Sequence, residues 1–167
     1  MTRILSTIVA LAWALWLGGL IALFLTLPTI FRTPGYSQAQ QGEFAARLFP
    51  MFERVQLACA AAALLATTAW WLAARARPKL VLFTLFAVAT MTAVVETAMV
   101  TPRVEELRVS GRRGTPEFDR MHKLSTRVYM SGAIVLLIAG FVLPSAIRAD
   151  ALKPPRPPQT SEETAPA

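Results

Sequence analysis

Four long apolar stretches constrain the fold of this chain more than any other feature of its sequence. They cover residues 4–31, 55–74, 79–101 and 128–147. A helix needs about 20 apolar residues to cross roughly 30 Å of hydrocarbon, and each stretch reaches that length. Lipid offers no hydrogen bonds to the backbone, so a crossing segment must satisfy its own polar groups as a helix. The sequence therefore predicts an all-α protein, a four-helix transmembrane bundle.

The composition argues against a soluble domain and against a nucleic-acid-binding protein. Only 16% of the 167 residues are charged, whereas about a quarter are charged in a typical soluble domain. The net charge of +7 comes from basic residues near the ends of the apolar stretches, where Lys and Arg meet anionic headgroups. We expect the lipid bilayer as the main partner, with a homo-oligomer or an unknown membrane protein as a further partner, and no nucleic acid.

The links between the stretches define two ends of the bundle. The short link at 74–79 predicts an antiparallel hairpin and lies with the N-terminus and the C-terminal tail, at what we call the terminal end. The longer links at 32–54 and 102–127 lie at the opposite end, which we call the link end. We assign residues 1–148 to one transmembrane domain, and the Pro-rich residues 149–167 to a disordered tail.

Both long links are predicted to be amphipathic helices on one side of the membrane. Ser37 followed by Gln40 has the pattern of a capping box, in which the two side chains close the start of a helix. In the other link, Thr115 before Pro116 is typical of a helix start. Pro50 is expected to kink or restart the first of these helices where it enters the membrane.

The distribution of Lys and Arg gives two opposing indications of orientation. Ten lie at the link end and seven at the terminal end, but the cluster of Arg75, Arg77 and Lys79 is the densest and lies directly at two span ends. We expect a bacterial inner membrane location with both termini in the cytoplasm.

Most of the chemically unusual residues fall at the link end. The bundle brings to that surface Pro28, Pro50, Glu53, Glu96, Pro102 and His122. Glu96 is the formal charge that lies well inside a predicted span, where an ionised carboxylate costs a few kcal/mol unless it faces a partner. The partners expected at its level are His122, Arg32, Arg54 and Arg103. A proton or cation site is one interpretation of Glu96, and an interhelical contact that fixes packing is the other.

His122 is predicted to lie on an inward helix face with Phe118, Met121 and Ser125, which follow the i, i+3, i+4, i+7 spacing. Thioether and imidazole groups suit Cu(I), so Met99, Met121 and His122 are weak candidates for a soft-metal site. One histidine cannot make a zinc site within one chain, and we expect no cofactor. The sequence contains no hydrolase triad and no phosphate-binding loop, so we expect no enzyme.

Several short motifs at the span ends resemble a known family. They are Leu48-Phe49-Pro50-Met51-Phe52, Thr101-Pro102-Arg103, Phe118-x-x-Met121-His122-Lys123-Leu124-Ser125, and Trp16-x-Gly18-Gly19 followed by Pro28 and Phe31. Their order and positions resemble the transmembrane-protein-205-like domain family (domain of unknown function 4149), over about residues 5–147.

The resemblance implies a four-helix integral membrane protein of uncharacterised activity. An animal member is linked to resistance to a platinum drug, which hints at transport or trafficking. The fold is also similar to copper-resistance D-type and small haem-pathway membrane proteins, which use more histidines than this chain has. We therefore expect a structural, interaction or accessory membrane protein with a polar cluster at one bundle end. The alternatives are a small transporter or ion-binding protein using Glu96 and His122, and a soft-metal or haem-pathway protein.

Overall fold

The computed structural model describes residues 2–32 and 34–151, and all of its long segments are helical. The elements in chain order are α1 (Thr2–Arg32), α2 (Gln38–Ala73), α3 (Arg77–Val95), a π-helical segment (Glu96–Val100), α4 (Thr101–Val109) and α5 (Pro116–Ala151). Since α3, the π-helical segment and α4 follow one another without a break, the chain forms four long rods. All four are long and apolar enough to cross a membrane, which identifies a multi-pass membrane protein and confirms the predicted four-helix bundle.

The predicted link helices are continuous with the spans. Ser37 and Gln40 form the capping box, with 2.8 Å from the Ser37 N–H to the Gln40 side chain and 3.3 Å from the Gln40 N–H to the Ser37 hydroxyl. From there α2 runs through Pro50 as one helix instead of restarting. Thr115 accepts a hydrogen bond from the Phe118 N–H at 3.3 Å, so α5 starts as predicted. Its end at Ala151 lies within the predicted tail, whose remaining residues, 152–167, lie outside the described part of the chain.

Each rod packs against two neighbours. α1 contacts α2 and α5, and α3 also contacts α2 and α5, which closes an up-and-down bundle. The core contains large side chains, among them Trp16, Leu82, Phe86 and Leu136, packed against small residues of α2 and α5. Gly140 allows the Trp13 ring of α1 to lie close to the backbone of α5. There the indole N–H of Trp13 donates to the Leu136 carbonyl at 2.8 Å.

The helices are longer than a bilayer is thick. α2 and α5 contain 36 residues each, which at 1.5 Å per residue is about 54 Å, against roughly 30 Å of hydrocarbon. The apolar stretches lie towards the terminal end, so the excess length projects at the link end. That projecting layer carries ion pairs of Glu43 with Arg47 and of Glu105 with Arg108.

Gly140→Ala should destabilise the bundle. A Cβ at position 140 would lie 2.5 Å from the Trp13 ring, so the indole must move and weaken its bond to Leu136. We expect thermal unfolding in detergent to show a loss of about 1–3 kcal/mol, despite the higher helix propensity of Ala. Gly18→Ala is the matched control, since nothing lies within 4 Å of its added Cβ. Equal effects at the two glycines would contradict the proposed close approach.

Candidate functional site

Two buried carboxylates lie together where the bundle meets its projecting layer. Glu53 of α2 is 5% exposed, and Glu96, the first residue of the π-helical segment, is 1% exposed. They belong to different helices and are joined through side-chain hydroxyls. The carboxylate cluster, as we define it, consists of Glu53, Glu96, Thr101, Ser125 and Tyr129.

Three hydroxyl groups contact the two carboxylates. The Thr101 hydroxyl lies 2.5 Å from Glu53 Oε1 and 3.4 Å from Glu96 Oε1, so a single hydroxyl touches both acids. Ser125 of α5 donates to Glu96 Oε1 at 2.5 Å. The phenol of Tyr129 lies 3.3 Å from Glu53 Oε1. The cluster therefore links α2, the α3–α4 rod and α5 through polar contacts.

A proline-associated widening of the helix places Thr101 within reach of Glu96. Pro102 lacks a backbone N–H, and its ring crowds the carbonyl of the preceding turn. The Thr101 N–H bonds to the Glu96 carbonyl, five residues back instead of four. In a regular α-helix, a residue five positions along lies about 140° around the axis, whereas the wider turn brings it back towards the first. The Thr101 hydroxyl therefore reaches Glu96 and the facing Glu53.

Aromatic rings cover the cluster, and a small cavity adjoins it. The rings of Phe49 and Phe52 lie 5.9 and 6.2 Å from the Tyr129 ring. The cavity, about 10 Å³, is large enough for about one water molecule. Its lining includes Trp16, Gln56, Thr92, Glu96 and Tyr129. Glu96 Oε2 is buried and makes no hydrogen bond within the described part of the protein.

The structure brings Ser125 to Glu96 but not the predicted basic partners. His122 is exposed, and its ring stacks on Phe118 of its own helix with 6.2 Å between centroids. The prediction that His122 faces inward is wrong. Helical spacing shows which side of α5 a residue shares with its neighbours, but a side chain on that side is buried only where another helix packs against it. Arg32 and Arg54 are likewise exposed.

Arg103 pairs with acids other than Glu96. Its guanidinium contacts Glu106 at 2.7 Å and Glu117 at 2.5 Å. In a regular α-helix, Arg103 would return to the face of Glu96, because seven residues complete about two turns. The π-helical turn contains more residues than an α-helical turn, so seven residues complete less than two turns. Arg103 therefore lies off the face of Glu96.

The predicted proline and glycine motifs have different environments. Pro28, Pro50 and Pro102 are exposed residues within or at the start of helices, with no break in the chain. Gly18 is exposed, whereas a Cβ on Gly19 would lie 3.1 Å from the Phe52 ring. Gly19 therefore accommodates one of the aromatic rings beside the cluster, and Gly18 does not.

The soft-metal candidates are not gathered into one site by any described contact. Met99 is 68% exposed, His122 is exposed and Met121 is half-buried. Among residues 2–32 and 34–151, no three His, Cys, Asp or Glu side chains are grouped as a metal ion would need.

A second buried charged site lies at the terminal end and was not predicted. Lys79 is fully buried, with its ammonium 2.5 Å from Asp150 Oδ1 and 4.7 Å from the centroid of the Trp70 ring. The indole N–H of Trp70 donates to Asp150 Oδ2 at 2.6 Å. We call these residues the lysine–aspartate pair. Lys79 was assigned to a membrane-edge cluster and Asp150 to the tail, so neither residue indicated the other.

Lys79→Met should destabilise the terminal end, because the half-buried Asp150 carboxylate would lose its contact with the Lys79 ammonium. We expect a loss of about 1–3 kcal/mol in the free energy of unfolding, measured by denaturation in detergent. Arg77→Met, two residues away and exposed, is the control and should change it little. The double variant Lys79→Met with Asp150→Asn should recover part of the loss. A double variant no more stable than Lys79→Met would contradict charge burial as the cause.

The fold and the site together define a class, that of multi-pass membrane proteins with a buried carboxylate cluster at one end of a four-helix bundle. Residues 11–113 match the family described as Domain of unknown function (DUF4149), and the chain belongs to this family. The matched region runs from within α1 to beyond the end of α4, so it includes Glu53, Glu96 and Thr101, while Ser125 and Tyr129 lie outside it. No curated protein and no solved structure shows a significant match to the chain.

Proposed function

We propose that this protein takes up and releases a proton at the Glu53–Glu96 pair. The observation that supports the proposal is the burial of both carboxylates without a basic partner. Among the described residues, no Lys, Arg or His forms an ion pair with either acid, whereas four arginines of the link end, Arg47, Arg103, Arg108 and Arg112, pair with other carboxylates. The role assigned is binding, with no catalytic step.

Electrostatics favours a shared proton over two buried anions. An ionised carboxylate inside a membrane protein costs several kcal/mol unless it is paired, and two nearby carboxylates also repel each other. The hydroxyls of Thr101, Ser125 and Tyr129 donate hydrogen bonds but bring no positive charge. One proton on the pair removes one of the negative charges, and the Thr101 hydroxyl lies between the acids.

The unpartnered oxygen of Glu96 supports exchange at this site. Glu96 Oε2 makes no hydrogen bond with the described residues, and Glu96 lines the small cavity together with Gln56 and Tyr129. A water molecule in this cavity could donate a hydrogen bond to Glu96 Oε2 and exchange a proton with it. The π-helical segment begins at the same residue, and such segments occur often at functional sites.

Replacing either acid should abolish the shared proton. In the full-length protein in bilayers, infrared difference spectra between acidic and basic pH should show the C=O stretch of a protonated carboxyl group. We expect the pH dependence of this band to change in Glu53→Gln and in Glu96→Gln, because the remaining acid has no second carboxylate with which to share the proton. Glu43→Gln, which removes an exposed acid paired with Arg47, should leave the band unchanged. An unchanged pH dependence of the band in both cluster variants would sink the proposal.

A structural or accessory role is the second candidate function. It is supported by the hydrogen bonds through which the carboxylate cluster joins three of the four rods. Thr101, Ser125 and Tyr129 all donate to acids of other helical segments, so the cluster holds the α3–α4 rod and α5 against α2. The same variants separate the two roles. A folded Glu96→Gln protein with an altered carboxyl band supports proton binding. A wild-type protein without a titrating carboxyl band, together with lower thermal stability of Glu96→Gln, supports the structural role. A homo-oligomer or a membrane partner fits the second role.

We also propose that the chain lies in a bacterial inner membrane with both termini cytoplasmic. Arg3, Arg75, Arg77 and Arg148 are exposed at the terminal end, near the ends of the spans, as the positive-inside rule favours. In a Cys59→Ala background, a cysteine at Ser110 should react with an impermeant maleimide added to intact cells, and one at Ala76 should react only after lysis. The reverse labelling pattern would overturn this orientation.

A further inference from the structure

Three exposed cations lie along one face of α5 at the link end. Arg120, Lys123 and Arg127 are spaced i, i+3 and i+7, and we call them the basic stripe. Together with Pro116 and Asp119 they line an open groove of about 390 Å³. The groove therefore contains three cations and one carboxylate, so it carries an excess of positive charge.

The basic stripe differs from four arginines of the projecting layer in forming no ion pair with an acid of the described residues. Arg47, Arg103, Arg108 and Arg112 each contact a carboxylate, so their charges are balanced locally. No ion pair within the described ranges involves Arg120, Lys123 or Arg127. The stripe also lies on the face of α5 opposite Ser125 and Tyr129, directed away from the carboxylate cluster. Its positive charge is thus available to a partner outside the bundle.

The position of the stripe matches the headgroup layer of a bilayer. Arg127 directly precedes the apolar stretch that begins at residue 128, and α5 is continuous across this boundary. Arg120 lies about 10 Å further along the helix axis at 1.5 Å per residue. The headgroup region adds roughly 5–8 Å to each side of the hydrocarbon, so the stripe spans that region and its edge. A membrane-bound partner reaches this surface without leaving its leaflet.

We propose that the basic stripe binds the headgroup of an anionic phospholipid. The phosphate diester accepts hydrogen bonds from guanidinium groups, which present paired N–H donors, and Lys123 adds a compact charge between the two arginines. The acyl chains extend along the outer, lipid-facing side of α5, where Ile134, Leu137 and Phe141 are exposed. The inference is independent of the proton-binding role, since the stripe and the carboxylate cluster occupy opposite faces.

The test measures lipid selectivity of the intact protein. The full-length protein is reconstituted in phosphatidylcholine nanodiscs containing a minor fraction of phosphatidylglycerol, and the lipids that remain bound are counted by native mass spectrometry. We expect enrichment of phosphatidylglycerol over phosphatidylcholine, and a loss of at least about tenfold in that enrichment for the variant Arg120→Gln/Lys123→Gln/Arg127→Gln. Thermal stability should change little, because all three side chains are exposed.

A charge-matched variant and a soluble anion make the result decisive. Arg3→Gln/Arg77→Gln/Arg148→Gln removes the same charge from exposed positions of the terminal end and should keep most of the enrichment. Equal losses in the two triple variants would show a general charge effect and overturn the assignment to the stripe. Millimolar inorganic phosphate should not compete with the bound lipid. Displacement by phosphate would identify a free-phosphate site and overturn the lipid proposal, as would wild-type protein with no preference for phosphatidylglycerol.

Discussion

Hydrocarbon cannot hydrate a charge, and this constraint determines where the buried charges of the protein lie. The carboxylate cluster and the lysine–aspartate pair occupy opposite ends of the apolar core. About 17 residues of helix separate Lys79 from Glu96, which is about 26 Å along the axis and close to the thickness of the hydrocarbon layer. Of the buried polar residues that the structure describes, Gln56 adjoins the carboxylate cluster on its core side, and Thr67 lies further towards the lysine–aspartate pair. Each charged group is therefore buried in protein at a depth where water is near one side of it.

The two buried sites differ in charge balance, and this difference separates their roles. Lys79 and Asp150 neutralise each other, and Trp70 contacts both groups, so their contacts account for a stable packing site at the terminal end. Glu53 and Glu96 have the same sign and are contacted by neutral hydroxyls. A pair of like charges is a poor way to hold helices together, because removing one of them relieves repulsion. The carboxylate cluster is therefore the better candidate for a binding function.

The sequence indicated the fold and two members of the carboxylate cluster, Glu96 and Ser125, and the other members were missed for local reasons. Glu96 was recognisable because it interrupts a long apolar stretch. Glu53 precedes the next stretch by two residues and was placed in a link, since nothing in the periodicity showed that α2 runs unbroken from Gln38. The π-helical turn before Pro102 shifted the faces of Thr101 and Arg103, which a regular helical spacing cannot represent. The motifs gave a better indication than the spacing, because Trp16, Phe52, Thr101 and Ser125 all lie at or beside the cluster.

The dry core between the two sites limits what a single copy of the chain can do with a bound proton. Leu82, Phe86, Leu136 and Ala139 are fully buried between the sites, and they offer no groups that could relay a proton. The cavity beside Glu96 holds about one water and does not amount to a channel. If the pair binds a proton as proposed, the proton would enter and leave at the link end. One-sided exchange of this kind suits a protein whose packing responds to proton uptake, and transport across the membrane would need a pathway formed with another chain.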